Sequence, residues 1–135
     1  GAGRFYMVEV VLVALGGSLG CVVRYLVGRA TEQMLPGFPL GTLLVNAAAS
    51  FVVGVLLGLA SVNGALPERP RLLINVGILG GLSTCSAFSA ETFAMLADGR
   101  FPAAFVNIAL NVGLSLALVA AGWWIAVSTA AALSR

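Results

Sequence analysis

The sequence contains no histidine and no lysine, and only 9% of its residues are charged. The absence of histidine excludes metal sites built on imidazole and nucleophile pairs of the Ser-His or Cys-His kind. The sequence also contains neither a nucleotide-binding motif nor a pair of carboxylates placed for acid-base chemistry, so we expect neither an enzyme nor an organic cofactor. The net charge of +2 is spread thinly along the chain, so no surface for nucleic acid is expected.

Cysteine is almost as scarce, with only Cys21 and Cys85 present. Both fall inside long apolar stretches, where a disulfide framework has no rationale, and we predict that both are buried small side chains. The first residues also lack a basic region followed by a small-residue cleavage site, so no signal peptide is expected.

Apolar residues are abundant: 60% of the chain is hydrophobic, and the mean hydropathy is +1.06. Because a helix needs about 20 apolar residues to cross the hydrocarbon core, four spans fit, at 5–28, 39–62, 72–97 and 102–128. We therefore predict an all-α membrane protein, with one four-helix transmembrane domain over residues 1–135. Its loops are short, at 31–38, 63–70 and 98–102.

The arginines give only a weak preference for one orientation in the membrane. With four spans, both termini and the second loop lie on the same side. The predicted distribution is Arg4, Arg69, Arg71 and Arg135 on that side, and Arg24, Arg29 and Arg100 on the other. So small a difference predicts that the protein could insert in both orientations.

Small and polar residues recur every four positions in three of the spans, which places each set on one helix face. The sets are Gly16, Gly20, Arg24 and Gly28; Asn46, Ser50, Gly54 and Gly58; and Asn107, Asn111 and Ser115. Close packing of helices in lipid explains the glycines. It does not explain Arg24 and Asn46, which we predict to face inward. The third set indicates either hydrogen bonding between helices or the wall of a polar path.

The third span is interrupted by the stretch GGLSTCSAFSAE at residues 80–91. Glycine weakens a helix, and non-helical backbone is tolerated at membrane depth where it is buried in protein or lines a polar cavity. We therefore predict a broken third helix. The break either exposes carbonyl and N–H groups to ions, or is a packing kink whose hydroxyls bond carbonyls four residues earlier.

Three motifs occur in order along the chain: GGSLGCVVRY at 16–25, GTLLVNAAASFVVG at 41–54 and GGLSTCSAFSAET at 80–92. In these motifs the chain resembles the Fluc (CrcB) family of bacterial fluoride channels, along nearly its whole length. The first motif is close to the family pattern GGxxGAxxRY, and the second is close to GTLxVNxxGSFxxG.

The resemblance implies a fluoride-selective channel that exports fluoride passively from the cytoplasm and gives fluoride resistance. It implies a multi-pass protein of the bacterial inner (plasma) membrane, assembled as an antiparallel, dual-topology homodimer with pores along the subunit interface. It also implies a structural sodium ion at the dimer centre, held by the backbone carbonyls of Gly80 and Ser83 from each subunit. The expected partners are fluoride, the lipid bilayer and a second copy of the chain.

The resemblance also implies a set of residues that line the pore or meet fluoride. Carried onto this sequence, they are Arg24, Asn46, Thr84, Cys85, Ser86, Phe88, Asn107, Asn111 and Ser115. The family usually reads TTFSTF where this chain reads STCSAF, so Cys85 replaces a phenylalanine and acts as a weak S–H donor or a small filler. Tyrosine is usual in place of Asn107, and serine in place of Asn111. These departures leave open a subunit of a heterodimeric fluoride channel.

Two other functional hypotheses, an antiporter and a scaffold, compete with the channel hypothesis. A small dual-topology drug/proton antiporter would need a carboxylate within the membrane, and Glu9 is the candidate, although it lies close enough to the start of its span to reach the interface. A membrane scaffold without transport would account for the glycine sets alone. We expect Glu91 to end the third span near the surface, to pair locally and to have no role in transport.

Overall fold

The computed structural model describes residues 2–64 and 66–133. Most of these residues are helical, and none of them forms a strand. Helix α1 covers Ala2–Thr31 and α2 covers Leu40–Asn63. The third span begins with α3 (Glu68–Arg71), a π-helix (Leu72–Leu79) and α4 (Gly80–Leu82), and ends with α5 (Cys85–Ala97). The fourth span consists of α6 (Phe101–Ala109), a second π-helix (Leu110–Leu114) and α7 (Ser115–Leu133).

Among the described residues, four helical stretches are long and apolar enough to cross a membrane, which confirms the predicted four spans. They are Tyr6–Thr31, Leu40–Val62, Glu68–Ala97 and Phe101–Leu133. The fourth span runs past its predicted end at residue 128, because the sequence from 129 to 133 contains no helix-breaking residue. The third begins earlier than predicted, since Pro70 lies in the first turn, where a helix tolerates proline. Arg135 and the side chain of Arg4, used above to predict orientation, lie outside the described residues.

The glycine sets bring helix backbones into direct contact. Helix α2 packs along α7, and α1 packs against the first π-helix and α4. A Cβ atom added at Gly54 would lie 2.2 Å from the carbonyl oxygen of Val119. One added at Gly20 would lie 2.2 Å from the carbonyl oxygen of Ile78. These distances confirm that Gly20 and Gly54 serve close helix packing, because no side chain fits between the backbones. A Cβ atom added at Gly28 would meet no atom of the described residues within 4 Å.

Large apolar side chains cover the outside of the four helices. Exposed examples on each of the four spans include Tyr6, Leu15, Tyr25, Leu57, Phe93, Phe105, Leu116 and Trp124. A soluble monomer does not expose apolar surface on this scale, whereas lipid or a partner subunit covers it in a membrane protein.

The two cysteines are exposed and carry free thiols, so the prediction that both are buried was wrong. Their helices are packed on one side only, and both side chains lie on uncovered faces. Cys21 Sγ lies 3.7 Å from the carbonyl oxygen of Gly81, and Cys85 Sγ lies 4.0 Å from Ser89 Oγ.

Candidate functional site

The third helix is broken at Ser83 and Thr84, as predicted. Both residues have extended backbone, with φ and ψ of −77° and 151° at Ser83 and of −152° and 117° at Thr84. Helix α5 restarts immediately afterwards, and the hydroxyl of Thr84 caps it by accepting a hydrogen bond from the N–H of Ala87 (3.2 Å). Ser83 Oγ donates to the carbonyl of Leu79, four residues earlier (3.0 Å). The backbone is therefore broken, and the hydrogen bond of a hydroxyl to the carbonyl four residues earlier, expected for a packing kink, is present as well.

The side chain of Asn46 satisfies both backbone groups of Thr84 at the break. Its Oδ1 accepts from the N–H of Thr84 at 2.8 Å, and its Nδ2 donates to the carbonyl of Thr84 at 3.2 Å. A backbone amide freed within the membrane is costly unless it finds a partner. Asn46 therefore stabilises the irregular backbone and fixes its position relative to α2.

Asn46 is also the end of a chain of side-chain hydrogen bonds that crosses three spans. Asn46 Nδ2 donates to Asn111 Oδ1 (3.0 Å), and Asn111 Nδ2 donates to Asn107 Oδ1 (2.9 Å) and to the Asn107 carbonyl (3.1 Å). Asn107 Nδ2 donates to Thr92 Oγ1 (2.9 Å), which donates to the carbonyl of Phe88 (2.7 Å). This "asparagine relay" consists of Thr92, Asn107, Asn111 and Asn46.

In an intact helix, the N–H groups of Thr84 and Ala87 would donate to the carbonyls of Gly80 and Ser83. At the break, both N–H groups donate to other acceptors. The N–H of Thr84, four residues after Gly80, goes to Asn46. The N–H of Ala87, four residues after Ser83, goes to the hydroxyl of Thr84. The two carbonyls proposed to hold a cation are therefore released from helical hydrogen bonding, and backbone carbonyls of this kind can replace the hydration shell of a cation.

An open groove of about 300 Å³ lies against the break, between the second, third and fourth spans. It is lined by Asn46, Ser50, Ser83, Thr84, Cys85, Phe88, Asn111, Val112 and Ser115. Six of the predicted pore residues meet here, from parts of the chain up to 69 residues apart. The groove combines hydroxyls, amides, a thiol and one aromatic ring on a wall that is otherwise apolar.

Three predicted pore residues lie outside this groove. Asn107 is fully buried, with 0% of its surface exposed, and bonds to Thr92 and Asn111 within the protein. Ser86 is exposed, and its hydroxyl lies 3.2 Å from that of Thr84. Arg24 is half-buried and donates to Cys21 Sγ at 3.6 Å, on α1. The two alternatives for the set Asn107, Asn111 and Ser115 therefore both hold in part. Asn107 forms hydrogen bonds between helices, whereas Asn111 and Ser115 line the groove.

Glu91 does not pair locally, which corrects the expectation from the sequence. Its Oε1 accepts from the hydroxyl of Thr42 on α2 at 2.7 Å, and it lies in the middle of α5, half-buried. Its Oε2 is buried and has no hydrogen-bond partner among the described residues. The expectation was wrong because α5 packs beside α2, which places a distant residue next to this carboxylate.

Thr42 and Glu91 line a second, larger cavity of about 380 Å³, here called the mouth cavity. Its wall comes from the end of the first span, the start of the second, the end of the third and the loops at 31–38 and 98–102. The lining residues include Thr31, Gly37, Phe38, Gly41, Met95, Asp98 and Arg100. Thr42 precedes Asn46 by one helical turn, so the mouth cavity and the groove lie on successive turns of α2.

Three polar residues of this region were not among the predicted site residues. Thr42 extends the set of Asn46 and Ser50 by one step of four, and this spacing could have indicated it. Thr92 gave a weaker signal, since it is four residues after Phe88, on the same face of α5. Ser50 was in the predicted helix face but was not assigned to the site.

Four apolar spans, a broken third helix and a polar groove at the break define a multi-pass membrane protein. Residues 11–123 match the family described as "CrcB-like protein, Camphor Resistance (CrcB)". This chain belongs to that family.

Similar proteins cover nearly all of the chain. A protein of Shewanella woodyi, named fluoride-specific ion channel FluC, is 44% identical over 117 residues, which is 86% of this chain and 94% of the relative. A protein of the same name from Geobacter metallireducens is 39% identical over 125 residues, or 92% of this chain and 98% of the relative. These relatives are named as channels, and the family is not one of enzymes.

Proposed function

We propose that this protein is a fluoride-selective channel that conducts the anion passively out of the bacterial cytoplasm, across the inner membrane. The observation that carries the proposal is the groove at the break, where hydroxyl and amide side chains from three spans meet beside the ring of Phe88. The polar residues are Asn46, Ser50, Ser83, Thr84, Asn111 and Ser115. The names of the similar proteins support the choice of fluoride. Export gives resistance because the anion leaves down its gradient after hydrogen fluoride has entered and dissociated.

Fluoride holds its water tightly, so a selective pore must supply hydrogen-bond donors as water leaves, without binding the ion too firmly. Neutral hydroxyls fit this balance, and Ser50, Thr84 and Ser115 line the groove. The ring of Phe88 can present its positive edge to an anion, and the thiol of Cys85 adds a weak donor. No lysine is present in the chain to trap the ion.

The amides of Asn46 and Asn111 contribute differently from the hydroxyls. Both side-chain N–H directions of Asn46 are used by Asn111 and Thr84, and those of Asn111 by two oxygens of Asn107. A fluoride ion bound to either amide would therefore have to displace a protein acceptor. We infer that these amides mainly hold the groove in shape, and that hydroxyls carry most of the anion contacts.

The groove is open along one side, and an antiparallel second copy of the chain would close it. The exposed apolar surface and the nearly balanced arginines support a dual-topology homodimer, since each orientation must be inserted about equally well. A heterodimer with a related chain would close the groove in the same way.

A structural sodium ion between the two subunits fits the residues at the break. The carbonyls of Gly80 and Ser83 have lost their helical donors, and two copies of the chain would supply four such oxygens. When bound, the ion would supply positive charge that joins the subunits and offsets part of the cost of a nearby anion.

The proposal is tested by anion efflux from vesicles that contain the purified protein and a potassium ionophore, which lets potassium leave with the anion. The efflux is followed with fluoride and chloride electrodes. We expect rapid fluoride loss while chloride is retained. Fluoride loss no faster than from protein-free vesicles would show that this chain alone is not a channel. Equal loss of both ions would refute selectivity.

Glu9 separates the channel from the antiporter. In the structure it lines a surface cavity with Val8 and the 67–70 turn, away from the groove. Glu9→Gln should therefore leave fluoride efflux within about twofold of the wild type, because a surface substitution far from the pathway has little effect. Loss of transport in this variant would favour the antiporter.

A further inference from the structure

The asparagine relay has a fixed direction that follows from its two ends. At one end, the carbonyl of Phe88 can only accept, so the hydroxyl of Thr92 must donate to it and can accept from Asn107. Asn107 therefore presents its amide nitrogen to Thr92 and its oxygen to Asn111. Because Asn111 uses its amide nitrogen to donate to the oxygen of Asn107, its own oxygen accepts from Asn46.

At the other end, the N–H of Thr84 can only donate, and it requires the oxygen of Asn46. The two ends impose the same orientation on every amide between them. They also lie on the same piece of chain, since Thr84 and Phe88 are one helical turn apart across the start of α5. The relay thus leaves the third span at Thr92, whose hydroxyl is held by the Phe88 carbonyl, crosses the fourth and second spans, and returns to the third at Thr84.

Two members of the relay have no direct access to the groove. Thr92 is 7% exposed and Asn107 is 0% exposed, and neither lines the groove. Asn111 and Asn46 do line it. An effect of Asn107 on an ion in the groove must therefore pass through its hydrogen-bonded neighbours. Thr92 can act along the same amides and also through Phe88, whose carbonyl accepts from its hydroxyl.

We propose that Thr92 and Asn107 are positioning residues, which set the amide orientation of Asn111 and Asn46 and so hold Thr84 and Phe88 in place along the ion path. This inference rests on the proposed function for its effect on fluoride. Its structural content, that Thr92 fixes the side-chain amide of Asn46 through two intervening asparagines, can be measured without any transport.

Thr92→Val tests the relay, because valine has nearly the shape of threonine but can neither donate to Phe88 nor accept from Asn107. Thr92→Ser keeps the hydroxyl and is the matched control. In vesicles, we expect Thr92→Val to lower fluoride efflux by about tenfold or more, since small displacements of positioned groups are costly. Thr92→Ser should stay within about twofold of the wild type. If Thr92→Val does not fold, Thr92→Ala removes the same hydroxyl.

A merely structural role for Thr92 predicts something different. It would lower the melting temperature in Thr92→Val while leaving the fluoride rate per folded protein unchanged, and this result would overturn the proposal. Adding Asn46→Ala gives a second comparison. Because Asn46→Ala already interrupts the relay, adding Thr92→Val should reduce fluoride efflux little further. If the fold-losses of efflux in the two single variants multiply in the double variant, the relay is contradicted.

The side-chain amide resonances of protein labelled with ¹⁵N-asparagine report on the relay directly. We expect those of Asn46, assigned with Asn46→Ala, to shift in Thr92→Val and to return in Thr92→Ser. Unchanged Asn46 resonances in Thr92→Val would refute the relay, whatever the transport result. If the wild type carries no fluoride, the proposed function fails, and the resonances still decide whether the relay exists.

Discussion

The closest backbone contact of α1 predicts that Gly20→Ala destabilises the protein, whereas Gly17→Ala does not. A methyl group at Gly20 would lie 2.2 Å from the carbonyl oxygen of Ile78 and 2.7 Å from the N–H nitrogen of Leu82. Ordinary contact begins at 3.4 Å, so α1 would have to move by about 1.2 Å. The atoms in contact are backbone, which cannot turn aside as a side chain can.

Overpacking of this kind costs about 1–3 kcal/mol, which lowers the ratio of folded to unfolded protein by about 5- to 150-fold. Gly17 lies three residues earlier on the same helix, and no atom of the described residues lies within 4 Å of its added methyl group. Gly17→Ala should therefore change stability by less than about 0.5 kcal/mol, or stabilise slightly through helix propensity.

Thermal unfolding in detergent, followed by the fluorescence of Trp123 and Trp124, measures the difference between the two variants. We expect Gly20→Ala to melt about 5 °C or more below the wild type, and Gly17→Ala to melt near it. Because α4 leads directly into the break, Gly20→Ala should also reduce fluoride efflux. Equal melting temperatures for the two variants would refute the close approach of α1 to α4.

The remaining predictions concern the groove and the mouth cavity. Asn46→Ala removes two hydrogen bonds to Thr84 and one to Asn111, and should cost about 2 kcal/mol by thermal unfolding. Ser50→Ala in the same groove should cost less than about 0.5 kcal/mol, and equal losses would contradict the stabilisation of the break by Asn46. Thr42→Val leaves Glu91 Oε1 without its donor and should cost about 1–3 kcal/mol, while Thr42→Ser should be near neutral. Since Cys85 is exposed in the groove, a charged thiol reagent should block fluoride efflux when the other cysteine is alanine. Cys85→Ala in that background should abolish the block, and a persistent block would mean that the reagent acts elsewhere.

The sequence was sufficient to predict the four spans and the position of the break. Length and hydropathy determine the spans, because a membrane accepts few other arrangements for so apolar a chain. The break at Ser83 and Thr84 was predictable because glycines and hydroxyl residues interrupt an apolar run, a pattern with few structural explanations. Asn46, Ser50 and Gly54 were correctly predicted to lie on one face of the second span, because α2 is a regular α-helix throughout.

The partners of individual side chains were not predictable in the same way. Glu91 bonds to a residue 49 positions away, and only the packing of α5 beside α2 reveals that contact. Asn107 and Asn111 have the same spacing and chemistry, yet one is enclosed between helices and the other lines the groove. The π-helical turn that contains Asn111 has no signal in the sequence, and it changes which face of the fourth span each residue occupies.

The measurement that tests passive fluoride conduction most directly is the dependence of efflux on membrane potential. Vesicles with the purified protein are loaded with potassium fluoride, and fluoride release is followed before and after addition of a potassium ionophore. A channel carries net charge, so we expect release to stay slow until the ionophore provides a path for potassium, and then to be rapid and indifferent to an imposed pH gradient. Fluoride release that needs no ionophore and follows the pH gradient would contradict a channel and indicate transport coupled to protons.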